Sequence, residues 1–314
     1  MNTTVVIIGA GPMAVEYLKV LVHLGVTTEV KGRGPESARN FESKTGKTVR
    51  RNWGEVPVTF TESLAIVAVD EGGLWEATEE ALHLGFQRIL VEKPAALSID
   101  NLRALSRLND DIITRVKVGY NRRFYEVVDI MIKQIELDGG MTSGSFDFSE
   151  RSTSIEPLIK GSGVKENWFF HNSTHVVDTF EYICGGLAIE SSRVQGALTW
   201  HSKGSQFAGF GRTLRDSALF SYSSDWEAPA GWEIIVRTQH HKLHLKPLEK
   251  LTIADHFGHV EVFEEVNFSL NLKPGLLRMV EAFIHNDMSG KLKTLSRQIE
   301  SADVYSAILF GLKS

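Results

Sequence analysis

The stretch TVVIIGAGPMAVEYLKVLVHLG, from Thr4 to Gly25, leaves the chain little choice of opening architecture. A β-branched apolar run meets glycines and then apolar residues at helical spacing. Ala14, Leu18, Leu21 and Val22 share one face, and Gly25 closes the segment. In the pattern Gly9-x-Gly11-x-x-Ala14, Gly9 permits a tight turn and Gly11 lets backbone amides approach a diphosphate. Ala14 allows close packing of helix on strand. Pro12 and Met13 lie in the same turn, and the positive end of the helix then faces the phosphate charge.

The second strand, TTEV, refines the expected cofactor. Lys31-Gly32-Arg33-Gly34 follows it, where an acidic residue would be needed to hold the two ribose hydroxyls of NAD. Glu29 comes too early for that task. Gly32 leaves space, and Arg33, assisted by Lys31 and Arg39, suits a 2′-phosphate, so the chemistry favours NADP over NAD.

LAIVAV (64–69), RILVEKP (88–94) and RVKVGYN (115–121) are further apolar runs. The helical pattern GLWEATEEALHLGF separates the first two. SIDNLRALSRL, capped by Ser98 or Asp100, follows the second. Strands alternating with helices mean a doubly wound parallel sheet covered on both faces. With 314 residues there is length for two domains, divided as 1–120 for the dinucleotide and 121–314 for substrate and oligomer contacts, the last helices able to pack back on the first domain. A hydrophobic content of 42%, a charged content of 23% and a net charge of −5 describe a soluble globular chain with no electrostatic case for nucleic acid or membrane. A single cysteine, Cys184, fits a reducing compartment. The start of the chain shows neither a signal peptide nor an anchor, so a cytoplasmic location is expected.

Glu92-Lys93-Pro94 at a strand end, the segment Gly119-Tyr120-Asn121-Arg122-Arg123-Phe124, and His175 with Asp178 in STHVVD occur in an informative order. Together they resemble the glucose–fructose oxidoreductase, inositol dehydrogenase and rhizopine catabolism family of nicotinamide-dependent oxidoreductases. The resemblance implies an N-terminal Rossmann domain and a C-terminal α+β domain. The latter has an open, mostly antiparallel sheet that carries substrate residues and serves a homodimer or homotetramer. It implies that Glu92, Lys93 and Asn121 border the cofactor, and that Lys93 lies near the nicotinamide and the reacting carbon–oxygen bond. An ammonium there can hydrogen-bond the substrate oxygen. A cis bond before Pro94 would set the lysine's direction. Arg122 is implied to touch substrate, and Arg123 to be structural.

In WFFHNSTHVVDTFEYICGG, a helix over 171–184 would gather His171, His175, Asp178 and Tyr182 in one sector, opposite Val176, Val177, Phe180, Ile183 and Cys184. An N-cap at Asn172 or Ser173 would put His175 in the first turn, where the helix dipole disfavours imidazolium. Three readings compete. A zinc site lacks a convincing third ligand, and a merely polar face explains less than a proton-transfer site. That site has His175 as acid and base, and Trp168, His171 and Asp178 among the substrate contacts. The family pattern has an aspartate where His171 stands, which leaves His171 to bind substrate, to lower the basicity of the site, or to mark lost catalysis.

The remaining segments, including SRVQGALTW, DSALFSYSS, GWEIIVRT, HKLHLKPL and HVEVFEEV, read as strands, and two helices end the chain. His240, His241 and His244 suit surface or interface better than metal. The loop 158–168 is placed to close over substrate. The expected activity is hydride transfer between nicotinamide and a secondary alcohol or ketone of a sugar, cyclitol or nucleotide sugar. Lys160, Lys165 and Arg122 would receive a negative substituent. The alternatives are a non-catalytic NADP-binding sensor, a zinc-dependent hydrolase or lyase using His171 and His175, and an enzyme that keeps its cofactor bound and shows no net redox change.

Overall fold

β1 (Thr4–Ile8) is buried over Val5 to Ile8, and the chain turns over Gly9 directly into α1 (Pro12–His23). The computed structural model describes residues 3–229, 231–265 and 272–312. β2 (Thr27–Lys31), β3 (Leu64–Val67), β4 (Arg88–Glu92) and β5 (Val116–Gly119) continue parallel to β1. They are joined through α2 (Pro35–Thr45), α3 (Leu74–His83), α4 (Ile99–Ala104) and α5 (Asp110–Arg115). The Ser98 hydroxyl accepts the Asn101 amide, which makes Ser98 the cap of α4.

After β5 come α6 (Glu126–Leu137), β6 (Ser143–Asp147), the short α7 (Ser152–Ile155) and α8 (Thr174–Cys184). A run of strands follows: β7 (Leu187–Gln195), β8 (Gln206–Thr213), β9 (Leu219–Asp225), β10 (Glu233–Arg237), β11 (His241–Leu245), β12 (Lys250–Asp255) and β13 (Val260–Glu264). Among the described residues the second sheet has eight strands in the order β13-β12-β11-β10-β6-β9-β8-β7. Its pairs are antiparallel except β6 with β9. Its strands alternate as a sheet with one packed face must, as in the exposed–buried pattern of β9. Phe180 of α8 lies 4.9 Å from Phe146 and 5.5 Å from Phe220 on that face. Burial of each such ring contributes roughly 1.5–3 kcal/mol.

The chain then forms α9 (Leu276–Ile284), β14 (Lys293–Thr294) and α10 (Leu295–Phe310). β14 adds an antiparallel edge to β5, giving the first sheet the order β14-β5-β4-β3-β1-β2 among the described residues. The described residues within 1–121 and 267–299 form one unit, and those within 122–266 and 300–314 form the other. α9 packs on α1, and Arg88 donates to the carbonyls of Phe283 and Ile284 at its end.

The α/β class and the two kinds of sheet are those expected. Three strands are not legible in the sequence, β8, β12 and the two-residue β14, and the strand expected from Ser192 onward begins at Leu187.

Candidate active site

The carboxyl ends of β1, β3 and β4 share one edge of the first sheet, because these strands are parallel and adjacent through β3. At that edge Gly9 adopts φ +128°, and a Cβ there would lie 2.2 Å from the Ala68 carbonyl oxygen. Only glycine fits. Gly11 is the N-cap residue of α1 and caps with no side chain; a Cβ at Gly11 would meet nothing within 4 Å. Pro12 starts the helix, and its first turn holds no acidic residue. Open space beside unobstructed helix amides fits a diphosphate. Met13 receives a hydrogen bond on Sδ from Lys273 at 3.1 Å. Gly32 is required for packing, since a Cβ would lie 2.8 Å from Val49 Cγ1.

The basic residues after β2 have different fates. Arg33 is exposed and donates to the Glu76 carboxylate at 2.8 Å. That hydrogen bond raises the arginine's pKa and lowers the glutamate's. Lys31, expected to assist, is buried with its ammonium 4.9 Å over the Trp53 ring and 3.9 Å from Glu80, so it is committed to the fold. Arg39 is exposed. Glu29 pairs with Lys47 and Arg50.

At the end of β4, the Glu92 carboxylate accepts the Tyr17 hydroxyl at 2.6 Å. Burial, and then Glu92 itself, push the Tyr17 pKa well above its ordinary value. The half-buried Lys93 follows, and its peptide bond to Pro94 is cis. The Gln298 amide donates to the Pro94 carbonyl at 3.0 Å and to the Tyr120 hydroxyl at 3.2 Å. Buried Asn121 donates to the Pro274 carbonyl at 2.9 Å. Nothing local in the sequence distinguishes Tyr17 and Gln298, which hold Glu92 and Pro94, from core.

In the second unit the histidine segment departs from the simple helix. Phe169–Ser173 form a π-helical turn that runs without a break into α8. Ser173 has helical backbone angles and makes no side-chain cap. The side chains of Asn172 and Ser173 instead donate to the Glu150 carboxylate, at 3.0 Å and 2.8 Å. His175 therefore lies inside a longer helical run, and the helix-end effect expected to keep it neutral does not apply.

The polar sector is also not a solvated face, because His171, His175 and Asp178 are all buried. Asp178 is bound by both branches of Arg123 at 2.8 Å, and that guanidinium lies 4.9 Å over the Tyr182 ring. Burial alone would lower the Arg123 pKa, but the charge of Asp178, its hydrogen bond and Glu181 leave it raised. Asp178, expected among the substrate contacts, is engaged in an ion pair with Arg123. The His175 ring stands 6.0 Å from Trp232, and His171 packs at 5.8 Å on Phe170. Arg122 stacks over Trp232 at 4.8 Å. Trp168, Asn172 and Trp232 line a cavity in this unit.

Among the described residues, no three His, Cys, Asp or Glu side chains come together as a metal would require. His241 pairs with Asp138 and His244 with Glu233, both at 2.9 Å or less.

The sequence matches no protein-family model and no curated protein. Solved structures do match, along nearly the whole chain. A dehydrogenase, MviM, from Clostridium difficile superposes with a TM-score of 0.77 at 14% identity, covering 98% of both chains. The fold therefore matches along the whole length. This chain shares the fold of that structure. Levoglucosan dehydrogenase, solved with NADH and levoglucosan, has a TM-score of 0.74 at 16% identity, covering 98% of this chain and 96% of its own. UDP-N-acetylglucosamine 3-dehydrogenase from Acidithiobacillus ferrooxidans has a TM-score of 0.71 at 13% identity, covering 98% and 97%. The shared fold, a parallel-rich sheet followed by a mostly antiparallel one, is the architecture that the family resemblance implies.

Proposed function

We propose that the protein is a nicotinamide-dependent oxidoreductase acting on a secondary alcohol or ketone of a sugar or related polyol. One observation carries the reading. The glycine turn that fits a diphosphate and the lysine that would hold a reacting oxygen stand at the same edge of one parallel sheet, at the ends of β1 and β4. The sugar ligands named for the levoglucosan and UDP-N-acetylglucosamine dehydrogenases support the substrate class.

Gly9, Gly11, Pro12 and Met13 would hold the diphosphate, and Gly32 with Arg33 the adenosine ribose. Glu92 and Asn121 would border the nicotinamide. Arg33, with no acidic residue at Gly32 or Gly34, favours NADP over NAD. The bound nicotinamide supplies the hydride acceptor or donor.

In the oxidative direction the Lys93 ammonium donates a hydrogen bond to the substrate hydroxyl oxygen and stabilises the charge that grows there. His175 accepts the hydroxyl proton. Trp168, His171 and Arg122 contribute to the substrate side, and Asp178 acts indirectly by neutralising Arg123 beneath the histidine helix. A π turn at such a place is a common mark of functional sites.

Replacing His175 with Ala, or Lys93 with Ala, should lower kcat by at least about 100-fold, the range of a lost acid–base group. Cofactor affinity by fluorescence titration should be retained. Near-normal turnover in both variants would end the assignment.

A further inference from the structure

The second unit holds a cavity of 1410 Å³ whose wall lies wholly within that unit. Pockets for a single small ligand span roughly 300–1000 Å³. The cavity has room for more than one ring. Trp232 belongs to its wall and also stands 6.0 Å from the His175 imidazole, so one wall residue adjoins the proposed base.

The same wall carries Trp168, Trp200 and Trp226. Trp200 and Trp226 stack at 5.8 Å with planes 10° apart, and Trp168 meets Trp200 edge-on at 6.2 Å. All three side chains are more than nine-tenths buried, at 8%, 9% and 1% exposure for Trp168, Trp200 and Trp226. Their indole N–H groups are buried with no acceptor among the described residues. A buried donor without an acceptor costs about 1–3 kcal/mol. All three belong to tryptophans of this one wall.

Charge narrows the choice. The wall carries four carboxylates, Glu150, Glu156, Glu227 and Glu249, against the two cations Arg151 and Lys246. Lys246 is already paired with Glu233 at 2.9 Å. None of the three cations expected to receive a negative substituent is among the residues of this wall. Lys160 and Lys165 are outside the wall, Lys165 donates to the Glu156 carbonyl, and Arg122 lies over Trp232. A nucleoside diphosphate would bring its charge among like charges.

We infer that this cavity is a second-ring subsite, and that the substrate is a neutral disaccharide or glycoside whose reacting ring lies beside His175 and whose other ring packs on the Trp200 wall. A pyranose offers an apolar C–H face to an indole and a rim of hydroxyls to indole N–H donors and carboxylate acceptors. The inference rests on the oxidoreductase reading.

The test titrates the cofactor-loaded protein by calorimetry with glucose, galactose and mannose, with cellobiose, lactose and mannobiose, and with UDP-glucose and UDP-galactose. Turnover of each is followed at the nicotinamide absorbance band. At least one disaccharide should bind about tenfold tighter than its monosaccharide, equivalent to roughly 1.4 kcal/mol. The UDP-sugars should gain nothing. Trp200→Ala should remove the disaccharide advantage while monosaccharide turnover continues, and Trp200→Phe should keep part of it. Monosaccharide turnover with no disaccharide gain, or tighter binding of UDP-sugars, overturns the subsite alone. Neither binding nor turnover with any of these sugars overturns the oxidoreductase reading as well. The wild-type comparison decides the matter even if Trp200→Ala fails to fold.

Discussion

Arg33 is the residue on which the proposed preference for NADP turns, and the fold gives it a competitor. The Glu76 carboxylate accepts its hydrogen bond at 2.8 Å, and both groups are exposed. A 2′-phosphate would have to displace or share that partner, whereas NAD would leave the pair intact. Glu76→Gln should therefore lower the Kd for NADP and leave that for NAD nearly unchanged. Arg33→Ala should do the reverse of the first effect, raising the Kd for NADP. Fluorescence titration with both cofactors reads the two, and an unchanged ratio in both variants would remove Arg33 from the cofactor site. Lys31 teaches the complementary lesson. Its charge is visible in the sequence, but its burial against Trp53 is a tertiary fact.

At the scale of elements, α8 shows why a helical wheel can mislead. The wheel places Val176, Val177 and Phe180 opposite His171, His175 and Asp178, and leaves the polar side for solvent or substrate. The structure buries both sides, because Arg123 supplies a counter-ion for Asp178. Breaking that pair leaves a buried charge alone. Asp178→Ala should cost about 3–5 kcal/mol of stability, and the double change Arg123→Met with Asp178→Leu should cost much less. Urea unfolding of the two variants checks this; equal losses would show that the pair is not the source. β8 fails to read as a strand for a related reason. Gly209 and Gly211 weaken its pattern, yet a Cβ at Gly211 would stand 2.0 Å from the Ala188 carbonyl of β7. The glycines are there for close strand approach, which is decided across the sheet.

For the whole molecule, two properties follow from surfaces and from burial. The outer face of the eight-stranded sheet exposes Phe210 and Leu219, at 49% and 52%. This supports self-association through that face, as a homodimer or homotetramer. Phe210→Glu with Leu219→Glu should reduce the mass measured by light scattering; a monomeric wild type would remove the proposal. His201 is placed to contribute to loss of stability in acid. Its side chain is buried beneath Trp226, 4.6 Å between rings, with Nδ1 bonded to the Gly204 carbonyl. Burial first, with Lys203 adding to it, lowers its pKa to about 4. The unfolded chain binds the proton near its ordinary 6.5, so the group's contribution is complete above that pH and is lost as the pH falls towards 4. Stability should drop by up to about 1.4 kcal/mol per pH unit in that window. His201→Gln should flatten the slope there, which denaturant unfolding at several pH values will show.

What the sequence determined by itself is what local periodicity and obligatory turn chemistry determine. The β1–Gly9–Gly11–α1 opening, the alternation of strands and helices to Gly119, and the position of Lys93 at a strand end are of this kind. Each depends on residues within a few positions of one another. Tertiary structure alone decided which charges remain available, because a partner distant in the chain can neutralise them, as Glu76 does for Arg33 and Asp178 for Arg123. It also decided the tryptophan wall. Trp168, Trp200, Trp226 and Trp232 are separated in sequence and line a single cavity only because the start of the histidine helix and the segments flanking β7 to β10 converge there. Periodicity reports the face a residue takes, but side-chain pairing over long separations reports what that face is for.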